Sequence, residues 1–86
     1  MRVAIPSVLQ AYTDGAANVE AAGTTVAELL DDLDRRYPGI RFRMVTEAGT
    51  LRPHVRVFVN RELERDLGRA IAPTDEVVIL QALSGG

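Results

Sequence analysis

Only one stretch of the 86 residues repeats its apolar side chains at helical spacing, and this limits the architecture more than any other feature. Val26, Leu29, Leu30, Leu33 and Tyr37 form one stripe along an α-helix. Thr25-Val26-Ala27-Glu28 opens it as a capping box: the Thr25 hydroxyl can accept from the Glu28 backbone N–H, and the Glu28 side chain can reach back. Arg35 and Arg36 occupy the last turn, where the helix dipole favours cations, and Pro38-Gly39 ends it. A lone helix has no second helix to bury its stripe against, so it needs a sheet. A chain of this length builds one domain, and burying roughly 60–65% of its unfolded surface gives it one core.

The remaining segments read mainly as strands. Arg2 to Leu9 alternates apolar Val3 and Ile5 with Arg2 and Ala4, although Pro6 confines its middle to an edge or a bulge. Asp14-Gly15 is a favoured turn pair, and Asn18 to Ala22 supplies the returning strand of a hairpin. Ile40 to Met44 alternates like a strand, yet Ile40, Met44 and Val45 equally suit a helical turn. After a polar loop from Thr46 to Pro53, the run from His54 to Asn60 is a strong strand. Val55, Val57 and Val59 make its core face; His54, Arg56, Phe58 and Asn60 make the other. Asn60-Arg61-Glu62 is a turn, Leu63 to Ile71 leaves room for one small strand, and Ala72-Pro73-Thr74-Asp75 turns into the last strand, Glu76 to Ala82. That strand is apolar on both faces, Val77 and Ile79 on one and Val78 and Leu80 on the other, which suits a central position parallel to the first strand. The expected fold is α+β: a mixed four- to five-stranded sheet gripping one main helix, the ubiquitin-like β-grasp. Residues 1–82 make the domain, and residues 83–86 a flexible tail ending Gly85-Gly86.

Composition removes whole classes of chemistry. There is no cysteine, hence no disulfide, thiolate nucleophile, iron–sulfur cluster or Cys-based zinc site. A net charge of −2 gives no electrostatic reason to expect nucleic acid or a membrane as partner. No apolar stretch approaches the ~18 residues that span a bilayer, and no secretory signal opens the chain, so a cytoplasmic location is expected. All ten basic residues are Arg, so no lysine is available for conjugation. His54, the one histidine, lies between Pro53 and Val55 and reads as a surface residue. Glu28, Asp31, Asp32 and Asp34 read as a solvated helix face, because no His or second element converges on them. Without a Ser-His-Asp arrangement, a phosphate loop or metal-ligand spacing, the chain looks like a co-substrate and not an enzyme.

The end of the chain carries the chemistry instead. A Gly-Gly end arises by chance in about 0.5% of chains at average glycine usage. Here it follows a buried-type strand directly. The helix start Thr25-Val26-Ala27-Glu28-Leu29-Leu30, the segment Val57-Phe58-Val59-Asn60-Arg61-Glu62, the run Asp75-Glu76-Val77-Val78-Ile79-Leu80 and terminal Gly85-Gly86 together resemble the ThiS/MoaD sulfur-carrier family. The loop before the third strand makes the chain similar to its longer, MoaD-like and CysO-like members. Thr74 departs from the pattern, where many members carry Gly, but it touches only a turn.

The resemblance implies that an E1-like adenylating enzyme of the MoeB/ThiF type uses MgATP to activate the Gly86 carboxylate. A sulfur donor or sulfurtransferase then displaces AMP and leaves a thiocarboxylate, which a sulfur-accepting synthase consumes. The carrier itself binds no cofactor. Gly85 and Gly86 lack Cβ and suit a narrow channel; with Leu83 and Ser84 they extend about 13 Å at ~3.3 Å per residue. Phe58, Leu80, Val78 and Arg56, on the face away from the helix, are the expected docking patch. Two other readings share the same residues: a ubiquitin-like modifier conjugated through Gly86, and a non-reactive β-grasp module that uses only the Phe58–Leu80 face.

Overall fold

Pro6 decides how the first hairpin is built. In the computed structural model, which describes residues 1–82, β1 (Arg2–Ala4) and β2 (Asn18–Glu20) pair antiparallel with Val3 opposite Val19. The strand expected to reach Leu9 therefore stops at Ala4. Proline lacks the N–H that a continuing ladder needs, and Ser7–Thr13 instead wind into a 3-10 helix. Its first turn is closed by the Leu9 N–H donating to the Pro6 carbonyl at 2.9 Å, and Leu9 is driven into the core. The Asp14-Gly15 turn caps this helix, with both residues at left-handed φ (53° and 84°).

The expected main helix is α1 (Val26–Arg36), with Val26, Leu29, Leu30 and Leu33 fully buried. Thr25 Oγ1 accepts from the Glu28 N–H at 3.2 Å. The reciprocal arm reaches one residue further back than a capping box: the Glu28 carboxylate accepts from the Thr24 N–H at 2.9 Å and the Thr24 hydroxyl at 2.6 Å. The ambiguous segment Ile40–Met44 is helical, α2. Gly39, at φ 98°, turns the chain into it, and Asp34 Oδ1 accepts from the Gly39 and Arg41 N–H groups at 3.1 Å each. Ile40 and Met44 bury fully as a result.

Three further strands complete one sheet: β3 (Val55–Val59), β4 (Glu62–Glu64) and β5 (Val77–Gln81). The order is β2-β1-β5-β3-β4, with β5 parallel to β1 and antiparallel to β3. The doubly apolar strand thus takes the central place its composition demands. Val3, Val55, Val57, Val59, Val77 and Ile79 face inward and share one core with the α1 stripe, Ile40 and Met44.

The carboxylates of α1 are not a uniformly solvated face. Asp32 is only 6% exposed. It accepts from the Ala22 N–H at 2.8 Å and from Arg36 Nε at 2.8 Å, and also pairs with Arg35. Asp32 and Asp34 are backbone fasteners, one holding the chain entering the helix and one the chain leaving it.

Asn60 and Arg61 close the β3–β4 hairpin with both residues at left-handed φ (52° and 69°), and the Asn60 side chain carries a second task. Its Nδ2 donates to Asp75 at 3.0 Å and its Oδ1 accepts from the Glu76 N–H at 2.9 Å, fastening this hairpin to the start of β5. The Asp75 carboxyl is held below its usual range, first by the Ala72 N–H and then by Asn60. Glu28 is lowered by the Thr24 hydroxyl and then the Thr24 N–H. A carboxyl depressed by folding stabilises the native state above its unfolded pKa, and that stabilisation is lost as pH falls through the folded value. Denaturant midpoints should therefore be level above the usual carboxylate range and fall in acid below it. Asp75→Asn should flatten that acid slope; a wild-type midpoint unchanged from neutral pH to well below the carboxylate range would contradict the assignment.

Candidate functional site

The side of the sheet away from α1 carries a row of apolar side chains set by strand register. Ala4 pairs with Val78, Val78 with Phe58, and Phe58 with Leu63, so one line of neighbours crosses β1, β5, β3 and β4. Leu80, opposite Arg56, lies in a second line beside it. The four docking residues expected from the sequence, Phe58, Leu80, Val78 and Arg56, are brought together on this outer face. Leu80 is 48% exposed, whereas Phe58, Val78 and Arg56 are half-buried. Phe58 is thus less open than its sequence position implied, lying between Val78 on one strand and Leu63 on the other.

Leu63 is the member that sequence reasoning missed, and it is 45% exposed. The alternation Glu62-Leu63-Glu64 was the available signal. Three residues gave too short a run to fix a face until the two-residue turn at Asn60-Arg61 set the register with β3.

The sheet also determines where the tail departs. Gln81 pairs with Val55, and the Ala82 N–H donates to the His54 carbonyl at 2.8 Å. Leu83, Ser84, Gly85 and Gly86 lie outside the described residues. On the helix side of this point is a depression of about 300 Å³ lined by Phe42, Arg43, Arg52, His54 and Gln81. Phe42 is 62% exposed. The Arg52 guanidinium sits 4.9 Å from its ring centroid, and Arg52 Nε donates to the Phe42 carbonyl at 2.9 Å.

Among the described residues, no group of three or more His, Cys, Asp or Glu side chains could hold a metal ion, and no helix is long and apolar enough to cross a membrane. His54 is exposed at the start of β3. What the described surface presents is an apolar row on the outer face of the sheet, close to the point where β5 ends.

A five-stranded mixed sheet in this order, closed over one main helix, is the ubiquitin-like β-grasp. Comparison narrows the class: the chain belongs to the ThiS family, whose profile matches residues 3–86. It is 38% identical over 89 residues to the sulfur carrier protein CysO of Mycobacterium tuberculosis, covering 98% of this chain and 96% of that one. The Amycolatopsis orientalis BexX/CysO complex contains a chain that superposes with a TM-score of 0.90 at 38% identity, covering 99% of this chain and 98% of the other. Small archaeal modifier protein 1 of Haloferax volcanii superposes with a TM-score of 0.78 at 28% identity, covering 96% and 97% of the two chains. Family and fold together make this a sulfur carrier protein serving the synthesis of sulfur-containing metabolites: a protein co-substrate and not an enzyme.

Proposed function

We propose that the chain carries sulfur as a thiocarboxylate on Gly86. An E1-like enzyme of the MoeB/ThiF type would use MgATP to adenylate the Gly86 carboxylate, releasing pyrophosphate. A sulfur donor or sulfurtransferase would then supply the sulfide that attacks the activated carbonyl and expels AMP, and a sulfur-accepting synthase in the cytoplasm would take the sulfur. A carboxylate is a poor electrophile, and adenylation converts it to a mixed anhydride with a good leaving group. The observation that carries the reading is the course of β5. It enters the sheet between β1 and β3, and its pairing with β3 then carries the chain to Ala82 at the end of the sheet, beside the exposed Leu80. A rigid strand fixes the starting point of a thin tail, and the apolar row beside it offers the partner a surface to hold.

The outer-face residues then have a defined role, with Leu80 and Phe58 as anchors, Val78 and Leu63 as flanks and Arg56 at the rim. Leu83 and Ser84 would be the first residues to enter the partner. ATP–pyrophosphate exchange by the E1-like enzyme should depend on this chain and saturate with its concentration. Leu80→Asp should weaken that interaction by about 1 kcal/mol or more, as loss of an interface anchor does, with little change in melting temperature. A large fall in melting temperature with unchanged half-saturation would contradict the placement of Leu80 in the interface.

The likeness to small archaeal modifier protein 1 supports a second reading, in which Gly86 is passed to an amine of a target protein. Both routes begin with the same adenylate. They part at the next step, where the carrier acquires sulfur and the modifier acquires a covalent partner. The absence of lysine from this chain rules out lysine-linked polymers of it.

A further inference from the structure

Positive charge is gathered at one end of the fold. Between residues 40 and 60 stand four arginines, Arg41, Arg43, Arg52 and Arg56, against the single carboxylate of Glu47, in a chain whose net charge is −2. Arg41 is taken up by Asp31 at 2.9 Å. Among the described residues, Arg43, Arg52 and Arg56 form no ion pair.

These three surround the place where β5 ends. Arg43 and Arg52 line the depression beside Gln81 and His54 on the helix side. Arg56 pairs with Leu80 on the outer face, and its Nη1 donates to the Pro53 carbonyl at 3.1 Å. Arg52 is held in place over Phe42 by its bond to the Phe42 carbonyl. Gathering like charges costs folding energy through mutual repulsion, and among the described residues the Arg43 side chain makes no hydrogen bond that would explain its place.

We infer that Arg43, Arg52 and Arg56 form a collar around the root of the tail, which receives acidic side chains at the mouth of the partner's channel. The inference rests on the carrier reading, because it is the tail that brings a partner's channel mouth to this point. The occupant is protein carboxylate and not nucleotide phosphate, for a reason of length. Four residues beyond Ala82 carry the reacting carbonyl up to about 13 Å away, so a nucleotide bound at Gly86 lies well beyond the collar. What lies against the collar is the rim through which the chain passes. Opposed charges at a rim act on encounter and orientation more than on the chemical step.

The test is ATP–pyrophosphate exchange by the E1-like enzyme, measured against carrier concentration at low and high salt. Arg43→Glu should raise the half-saturating carrier concentration by about tenfold or more at low salt, within the range of electrostatic steering, and should leave the maximal rate unchanged. High salt should erase most of the difference. Arg2→Glu makes the same charge change at the exposed start of β1, which pairs with the first residues of β5 and so lies at the far end of that strand from the collar, and it should behave as wild type. Arg52→Gln, with its melting temperature as a check on the loop, should shift half-saturation in the same direction. Equal shifts for Arg43→Glu and Arg2→Glu would overturn the collar and leave only a net-charge effect. Wild-type exchange with no response to Arg43→Glu would overturn the collar alone. No exchange with wild-type chain would overturn the carrier reading and the collar with it.

Discussion

Gly23→Ala is expected to lower the melting temperature by about 12–24 °C. Gly23 lies just before the cap of α1, where the chain passes over the first helical turn. A Cβ built there would stand 2.6 Å from the Leu29 nitrogen and 2.9 Å from the Glu28 carbonyl carbon. Both are backbone atoms of a turn whose Leu29 and Leu30 are buried, so neither can step aside as a flexible side chain would. Relief requires moving the incoming chain, which breaks the Thr24–Glu28 bonds and the Asp32 bond to the Ala22 N–H. Overpacking at such a site costs about 3 kcal/mol, and in a domain of this size each kcal/mol shifts the midpoint by about 4–8 °C. Gly68→Ala is the control. Its Cβ would meet only the Asp66 side chain at 3.2 Å, and Gly68 has no left-handed φ. Thermal melts of the two variants should differ widely; matching melts would show that the approach at Gly23 is not tight.

Deleting Gly86 is expected to abolish ATP–pyrophosphate exchange while leaving the melting temperature within about 2 °C of wild type, a shift of less than 1 kcal/mol in a domain of this size. The described residues already contain the full sheet, the helices and the shared core, and β5 ends at Gln81. Shortening the tail by one residue withdraws the reacting carbonyl by ~3.3 Å. An in-line attack tolerates far less misplacement than that, so the loss should be nearly complete. Adding one residue after Gly86 should act in the same way, because the new carboxylate overshoots and carries a different side chain. Exchange at the wild-type rate with either variant would sink the account of Gly86.

The fold was largely legible because its strongest signals were local. The stripe Val26, Leu29, Leu30 and Leu33 of α1, with Tyr37 at its cap, and the doubly apolar run of β5 each fixed an element, and together they required a sheet with one covering helix. The misreadings came where a long-range partner decided the outcome. Alternation from Arg2 to Ile5 suggested a long strand, but Pro6 and the burial of Leu9 favoured a 3-10 helix. Ile40 to Met44 carried both periods, and Asp34, six residues earlier than Ile40, settled it by accepting from Gly39 and Arg41. Asp32 looked like one of four solvated carboxylates, because nothing in the local pattern announces that Ala22 needs an acceptor. At the candidate site the faces of β3 and β5 followed from alternation alone, whereas Leu63 and the Phe42–Arg52 pair depended on register and loop closure.

The most direct measurement is the intact mass of the chain after incubation with its E1-like enzyme, MgATP and sulfide, alongside the same mixture lacking ATP. The carrier account predicts a species in which one sulfur replaces one oxygen, located at Gly86 by fragmentation and reactive toward an alkylating probe for thiocarboxylates. The species should be absent without ATP and from the Gly86-deleted chain, and should revert to the carboxylate once a sulfur acceptor has consumed it. An unchanged mass despite ATP–pyrophosphate exchange, with the chain recovered instead in covalent linkage to other proteins, would contradict it.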